Sequence, residues 1–95
     1  MPATNPDVLT FLLTRRSRPA PFEKNARALG YLGISEREYE VLELLAAGHS
    51  NREMAERLYV SPNTIKTHLA HLYEKLEVSR RTQAVRKARS LRLIP

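Results

Sequence analysis

The chain has 95 residues, which is enough for one small domain with little room for a second hydrophobic core. It contains no cysteine, and this excludes a disulfide framework and a cysteine-based metal site. Its net charge is +6, and residues 60–95 carry eight Lys/Arg against two Asp/Glu. A basic segment of this kind suits a polyanion partner, although a soluble surface with one basic end has the same composition.

No apolar run in the chain approaches the roughly 20 residues that a membrane helix needs. The N-terminus also lacks the pattern of a signal peptide, because polar side chains interrupt its apolar stretch at Asp7, Thr10 and Thr14. We therefore expect a soluble cytoplasmic protein without a membrane partner.

The first third of the chain, residues 1–33, is expected to be an N-terminal arm and linker. Residues 5–14 carry a short apolar stretch behind a helix-start pattern, which predicts one or two amphipathic helical turns. Such a helix either docks or dimerises, or it folds back on the core to cover its apolar side chains. Pro19 and Pro21 then predict an extended linker, and residues 26–32 are a second candidate helix.

Residues 34–95 are predicted to form a domain of four helices, which makes the fold class all-α. The expected helices cover residues 36–47, 51–58, 62–76 and 80–92. Each is preceded by a serine suited to the N-cap position: Ser35, Ser50, Ser61 and Ser79. The first two serines match the capping box, and Gly48 is placed to end the first helix in a left-handed conformation.

The third predicted helix has the clearest division into two faces. Its apolar side chains recur at i, i+4, i+7 and i+11 and are expected to be buried: Ile65, Leu69, Leu72 and Leu76. At about 100° per residue, the opposite face is polar and points away from the core. The turn before this helix is too short to let it run parallel to the preceding one. A helix pair of this kind can place its second helix in the major groove of DNA.

A side chain that reads a base edge must come from the outward face near the start of the third helix. Four residues meet both conditions and are the candidates for DNA base contact: Asn63, Lys66, Thr67 and Ala70. Hydrogen-bonding residues at the starts of the second and third helices are candidates for DNA backbone contact: Asn51, Arg52, Ser61 and Thr64. For Ser61, capping of the helix is the simpler role, and phosphate contact would be an added one.

Other chemistries fit the pattern poorly. A metal site at His68, His71 and Glu74 would need convergent ligands, but His68 lies near the buried flank while Glu74 points outward. A hydrolase would need a strand-turn-helix context or a Gly-rich oxyanion loop. The acidic side chains of the first helix lack an apolar pocket and are expected to form a solvated face: Glu36, Glu38, Glu40 and Glu43. We therefore expect no enzyme activity, no metal and no cofactor.

The stretches ISEREYEVLELLAAGHSNREMAERLYVSPNTIKTHLAHLYEKL and VSRRTQAVRKA are similar to the DNA-binding domain of LuxR-type transcriptional regulators, a group that includes the GerE and NarL/FixJ effector domains. The last part resembles the C-terminal domain of MalT-like regulators in particular. The resemblance covers residues 34–95 and implies a four-helix domain with its third helix in the major groove. It also implies that the fourth helix contributes to a dimer on paired half-sites.

By position, the resemblance assigns base reading to Lys66, Thr67 and Ala70. It adds His68 to the backbone contacts, whereas the helical wheel makes His68 a partly buried, structural side chain. The implied dimer contacts lie on the fourth helix: Val85, Ala88 and Arg89. Two departures stand out, because Ala70 replaces a residue that is basic or polar in many relatives, and Glu77 replaces a common helix-ending glycine.

Relatives usually carry this domain behind a receiver, ligand-binding or ATPase domain, whereas 33 residues precede it here. We expect the regulatory input to be absent, supplied by a partner protein, or exerted through expression level. The starting Met favours a complete small regulator over a fragment of a longer one.

The sequence thus predicts a sequence-specific DNA-binding transcription regulator that acts as a homodimer, at least on double-stranded DNA. One alternative is a protein-interaction module of the same fold that binds another transcription regulator without reading DNA. A second is nonspecific packaging of nucleic acid, which would depend on salt but would show no preferred sequence.

Overall fold

The computed structural model of the chain describes residues 22–95. Within them the backbone forms five helices and no strand: α1 Ala26–Leu32, α2 Glu36–Ala46, α3 Asn51–Leu58, α4 Pro62–Leu76 and α5 Arg81–Ser90. The predicted all-α fold is confirmed, and α2 to α5 begin and end within two residues of the predicted bounds. In this part of the chain, no helix is long and apolar enough to cross a membrane. The predicted helix at residues 5–14 and the two linker prolines lie outside the described residues.

Three of the four predicted serine caps are present. Ser35 and Ser50 both form complete capping boxes, in which the serine Oγ accepts from the backbone N–H three residues on and that residue's carboxylate accepts from the serine N–H. Ser61 Oγ accepts from the Thr64 N–H at 3.1 Å, with Pro62 in the first helical position. The expectation for Ser79 is wrong. Instead, Arg80 occupies the N-cap position of α5. The Ser79 N–H donates to Gln83 Oε1 at 2.9 Å, so a side chain of the first turn accepts from the residue before the N-cap.

Each described helix is followed by a residue with positive φ: Gly33, Gly48, Tyr59, Glu77 and Arg92. The prediction for Gly48 is therefore confirmed, at φ 92°. After α4, the Val78 N–H donates to the Tyr73 carbonyl at 2.9 Å and the Glu77 N–H donates to the Glu74 carbonyl at 3.1 Å. These bonds satisfy carbonyls that the end of the helix would leave free, and they compensate part of the strain of a left-handed non-glycine residue.

The core is built around α4, which packs against α2, α3 and α5. The predicted buried row is confirmed: Ile65, Leu69, Leu72 and Leu76 are between 0% and 6% exposed. Ala55 on α3 is also buried, and its small side chain allows α3 and α4 to approach closely.

The end of the chain also belongs to the core, which the sequence analysis did not anticipate. Leu93 and Ile94 are buried, because the left-handed turn at Arg92 directs the chain back onto the domain. The Tyr39 hydroxyl donates to the Leu93 carbonyl at 2.7 Å and so connects the end of the chain to α2.

Packing also extends N-terminally of the predicted domain boundary at residues 33/34. Leu29 of α1 is buried, and Asn25 caps α1 by accepting from the Ala28 N–H at 3.1 Å. The Asn25 backbone N–H donates to the Arg92 carbonyl at 2.9 Å, and its side-chain amide donates to the Leu91 carbonyl at 3.2 Å. The packed unit therefore includes α1 as well as residues 34–95.

A buried carboxylate joins α2 to the C-terminal half of α4. The predicted solvated acidic face is correct for Glu36, Glu40 and Glu43, which are exposed, but wrong for Glu38, which is 5% exposed. Lys75 Nζ donates to Glu38 Oε1 and to the Gly33 carbonyl, both at 2.7 Å. The sequence pattern of α2 gave no sign of this contact, because the cation comes from a residue 37 positions away.

The environment of Glu38 changes its pKa in two opposing ways. Burial alone would raise the pKa, whereas the hydrogen bond from Lys75, the Ser35 N–H and the charge of Lys75 lower it, and the net pKa lies below its ordinary value. His71 Nδ1 lies 3.8 Å from the second carboxylate oxygen of Glu38. A lowered pKa in the folded state means that ionised Glu38 stabilises the fold.

We expect acid to destabilise the domain partly through Glu38. Because its folded-state pKa is lowered, its contribution is complete above the unfolded-state pKa of about 4.3 and is lost as the pH falls through the folded-state value. Urea unfolding between about pH 6 and pH 3 should therefore show a smaller loss of unfolding free energy in Glu38→Gln than in the wild type. Glu36→Gln, which changes an exposed carboxylate on the same helix, is the control. An equal loss in Glu38→Gln and the wild type would contradict the assignment.

Glu77→Gly should raise the unfolding free energy by about 0.5–1 kcal/mol, because glycine adopts φ near 58° without the Cβ clash that glutamate incurs. The matched control is Glu74→Gly, in the last turns of α4, which should lower stability by about the same amount. Urea unfolding at neutral pH measures both changes. A decrease in Glu77→Gly similar to that in Glu74→Gly would show that the left-handed position carries no strain.

Candidate nucleic-acid interface

The helix pair α3–α4 is joined by the three residues Tyr59, Val60 and Ser61. Tyr59 adopts a left-handed conformation, and the Val60 N–H donates to the Ala55 carbonyl at 3.0 Å, which ends α3 sharply. A turn of three residues has the length found between the two helices of a helix-turn-helix. The pair therefore has the form of a helix-turn-helix.

The four predicted base-contact residues lie together on one exposed face of α4. Asn63, Lys66, Thr67 and Ala70 are all exposed, opposite the buried row of the same helix. Lys66 forms no ion pair with any described carboxylate, so its charge is not neutralised within this part of the chain. Contact of these side chains with DNA bases remains a prediction.

Thr67 is constrained by its own helix. Its hydroxyl donates to the Asn63 carbonyl one turn back, at 3.2 Å. This bond uses the hydroxyl proton and leaves the oxygen as an acceptor and the methyl group as an apolar contact. In this rotamer Thr67 can accept a hydrogen bond from an adenine or cytosine amino group or contact a thymine methyl.

The predicted backbone-contact residues of α4 are partly used by the fold. Ser61 Oγ caps the helix and also lies 3.0 Å from Thr64 Oγ1. Capping, the simpler role expected for Ser61, is therefore present. Thr64 and His68 are half-buried, which for His68 agrees with the helical-wheel prediction of a partly buried side chain.

The predicted backbone-contact residues of α3 have different surroundings. Arg52 extends into solvent with its side chain 86% exposed, and its Nε lies 3.8 Å from Glu56 Oε2. Asn51 is half-buried, and its Oδ1 accepts from Arg81 Nη2 at 2.8 Å. Arg81 Nη1 donates to the His49 carbonyl, also at 2.8 Å. The sequence analysis did not identify Arg81, because no local pattern links it to a residue 30 positions earlier.

The predicted dimer contacts on α5 need one correction. Ala88 is fully buried in the core of its own chain, as is Ala84, so its side chain is not available to a partner. Val85 is half-buried and Arg89 is exposed, with its Nε donating to the Pro95 carbonyl at 3.0 Å. The helical period explains the error, because residues 84 and 88 share the face that packs inward.

The basic charge of the chain is concentrated after α4. Residues 78–95 contain six Lys/Arg and no Asp/Glu. None of these six cations forms an ion pair with an Asp or Glu side chain in the described part of the chain. This segment therefore presents positive charge that internal contacts do not neutralise. Among residues 22–95, no group of His, Asp and Glu side chains is arranged to hold a metal ion.

Comparisons with known proteins agree with this geometry. A family model described as bacterial regulatory proteins, luxR family, matches residues 33–88. The transcriptional regulatory protein NarL of Mycobacterium tuberculosis is 51% identical over 61 residues, which are 64% of this chain and 28% of NarL. An HTH-type transcriptional regulator of Mycobacterium bovis is 41% identical over 66 residues, which are 70% of this chain and 8% of that protein.

A solved structure is similar as well. The response regulator ChrA of a heme-sensing two-component system matches with a TM-score of 0.63 and 41% sequence identity, over 95% of this chain and 39% of ChrA. The chain thus spans well under half the length of each of these relatives. The family match covers more than half of the chain and includes α3 and α4 in full. The chain belongs to the luxR family of bacterial regulatory proteins.

Proposed function

We propose that the protein is a sequence-specific DNA-binding transcription regulator that inserts α4 into the major groove. The observation that carries the proposal is the arrangement of α4 itself. Its apolar row is buried, and this fixes the exposed side chains of Asn63, Lys66, Thr67 and Ala70 on the opposite face, near the start of the helix. Side chains of this kind at the N-terminal end of a recognition helix can reach base edges.

Phosphate contacts complete the proposed interface. The starts of α3 and α4 present backbone N–H groups and the positive ends of two helix dipoles, which favour an anion. The side chains proposed to contact the DNA backbone lie on these two helices or at the N-cap of α4: Asn51, Arg52, Ser61, Thr64 and His68. Their hydrogen-bonding groups and the unneutralised cations of residues 78–95 support a phosphate-rich partner.

Lys66→Ala and Thr67→Ala should each weaken binding to the preferred duplex by about 1–3 kcal/mol, because each change removes one base contact. The duplex is first selected from a random-sequence library with the wild-type protein, and the dissociation constants are then measured by fluorescence anisotropy. Neither side chain is in the core, so the variants should remain folded. Arg37→Ala removes an exposed charge on α2 and serves as the control for Lys66→Ala. Wild-type affinity in both α4 variants would contradict the proposed recognition face.

The same titrations separate the alternatives. A DNA reader prefers the selected sequence and loses affinity steeply as salt rises. Equal affinity for all sequences, with the same salt dependence, would indicate nonspecific packaging. No duplex binding at low salt would overturn the DNA-binding proposal and favour a module that binds another regulator protein.

We also propose that two copies associate through α5 on paired half-sites, with Val85 and Arg89 at the contact. Val85→Ala combined with Arg89→Ala should reduce the preference for a duplex with two half-sites over one with a single half-site by about fivefold, or roughly 1 kcal/mol. Affinity for the single half-site should fall less than affinity for the paired half-sites. Ser90→Ala, an exposed change on the same helix, is the control. An unchanged preference in the double variant would exclude this face of α5 as the dimer contact.

A further inference from the structure

We propose that Arg81 is a positioning residue for DNA binding, which holds the Asn51 side chain so that its amide group donates to a phosphate. This inference rests on the proposed function, because it concerns one of the proposed backbone contacts. It also connects that contact to α5, the helix on which Arg81 lies.

The guanidinium of Arg81 donates to two acceptors at the junction of α2 and α3. Nη1 lies 2.8 Å from the His49 carbonyl, just before α3, and Nη2 lies 2.8 Å from Asn51 Oδ1, in the first residue of α3. Arg81 and Asn51 are both half-buried. A planar guanidinium with two parallel N–H groups holds two acceptors in a fixed relative position, which a lysine ammonium does not do.

The bond from Arg81 also decides which way the Asn51 amide points. An asparagine amide has one oxygen that accepts and one NH2 group that donates, and a guanidinium can only donate. The amide must therefore turn its oxygen toward Arg81, because the opposite rotamer would place donor against donor. The two Nδ2 hydrogens consequently point away from Arg81, and no described residue accepts from them.

The position of this amide suits a phosphate. Asn51 is the first residue of α3, where free N–H groups and the helix dipole favour an anion. Ser50 Oγ accepts from the Glu53 N–H at 3.1 Å, and no hydrogen bond joins it to the Asn51 amide. The nearest acidic side chain of the first turn, Glu53, is engaged by the Ser50 N–H at 2.8 Å and lies 3.6 Å from His49 Nδ1.

The charge of Arg81 adds to the same effect. Both of its acceptors are neutral, and it forms no ion pair with a carboxylate of residues 22–95. Its positive charge therefore remains available to attract a phosphate at the start of α3. Arg81 accordingly has two separable contributions, the orientation of Asn51 and an uncompensated charge.

Two variants and their combination separate the two contributions. Arg81→Lys keeps the positive charge but loses the two parallel N–H groups of the guanidinium. Asn51→Ala removes the side-chain amide. Binding of the wild type and variants to the duplex selected with the wild type is measured by fluorescence anisotropy from about 50 to 200 mM NaCl. We expect each single variant to lose about five- to tenfold in affinity, and the combined variant to lose no more than Asn51→Ala alone. The slope of log K against log salt should stay unchanged in Arg81→Lys.

The inference would be overturned if the fold losses in affinity of the two single variants multiplied in the combined variant, or if Arg81→Lys bound with wild-type affinity. In either case Arg81 would not act through Asn51. Arg37→Lys, which keeps the charge of an exposed arginine on α2, is the control and should leave affinity unchanged. Failure of the wild type to bind any duplex would instead count against the proposed function itself.

Arg81→Lys also weakens the bond to the His49 carbonyl, and the resulting loss of stability could itself lower duplex affinity. A second variant, at Asn51, tests the inference without changing Arg81. Asn51→Asp keeps an oxygen for Arg81 and replaces the NH2 donors with a carboxylate oxygen. We expect it to unfold at the same urea concentration as the wild type or a higher one, and to lose more than tenfold in duplex affinity. Wild-type duplex affinity in Asn51→Asp would overturn the inference independently of the arginine variant.

Discussion

The burial of one face of α4 is the constraint on which the rest of the structure depends. The side chains of this face are enclosed by α2, α3 and α5, and each fully buried aliphatic side chain stabilises the fold by about 1.5–3 kcal/mol. A rotation of α4 by one residue would bring Lys66 toward the core and expose Ile65, so the rotation of the helix is fixed. The exposed face near its start is thus a consequence of packing and not of its own contacts.

The ion pair of Glu38 and Lys75 complements this constraint at the other end of α4. Apolar burial sets how α4 is rotated, but it is non-directional and tolerates a shift along the helix axis. Lys75 contacts both the buried carboxylate and the Gly33 carbonyl, each at 2.7 Å, and a shift of α4 along its axis would break both bonds. Removing either charge would leave the other near the protein interior without its partner. The pair therefore adds a directional contact between α4 and α2 to the apolar packing of the two helices.

Local features of this fold were predictable from the sequence, and contacts between distant segments were not. The capping boxes at Ser35 and Ser50 and the buried row of α4 each depend on residues within a few turns of one helix. The capping role of Glu38 was visible for the same reason, but its burial depends on Lys75 of another helix. The contact of Arg81 with Asn51 and the burial of Leu93 were not predicted for the same reason, since no helical period connects these residues to their partners. At the candidate site, the exposed face of α4 was predicted from its period, whereas the support of Asn51 by Arg81 required the structure.

The distribution of charge connects the proposed dimer to the proposed DNA contact. Residues 78–95 carry six Lys/Arg and no Asp/Glu, so two copies that meet through α5 would bring two cationic segments together. Charges within a Debye length of about 10 Å at 0.1 M salt repel each other appreciably. Phosphates bound at the proposed interface would supply the missing negative charge. Arg81 belongs to both proposed contacts, because it lies on α5 and donates to the first residue of α3. DNA should therefore favour association of the two copies by neutralising the repulsion between them as well as by aligning them on paired half-sites.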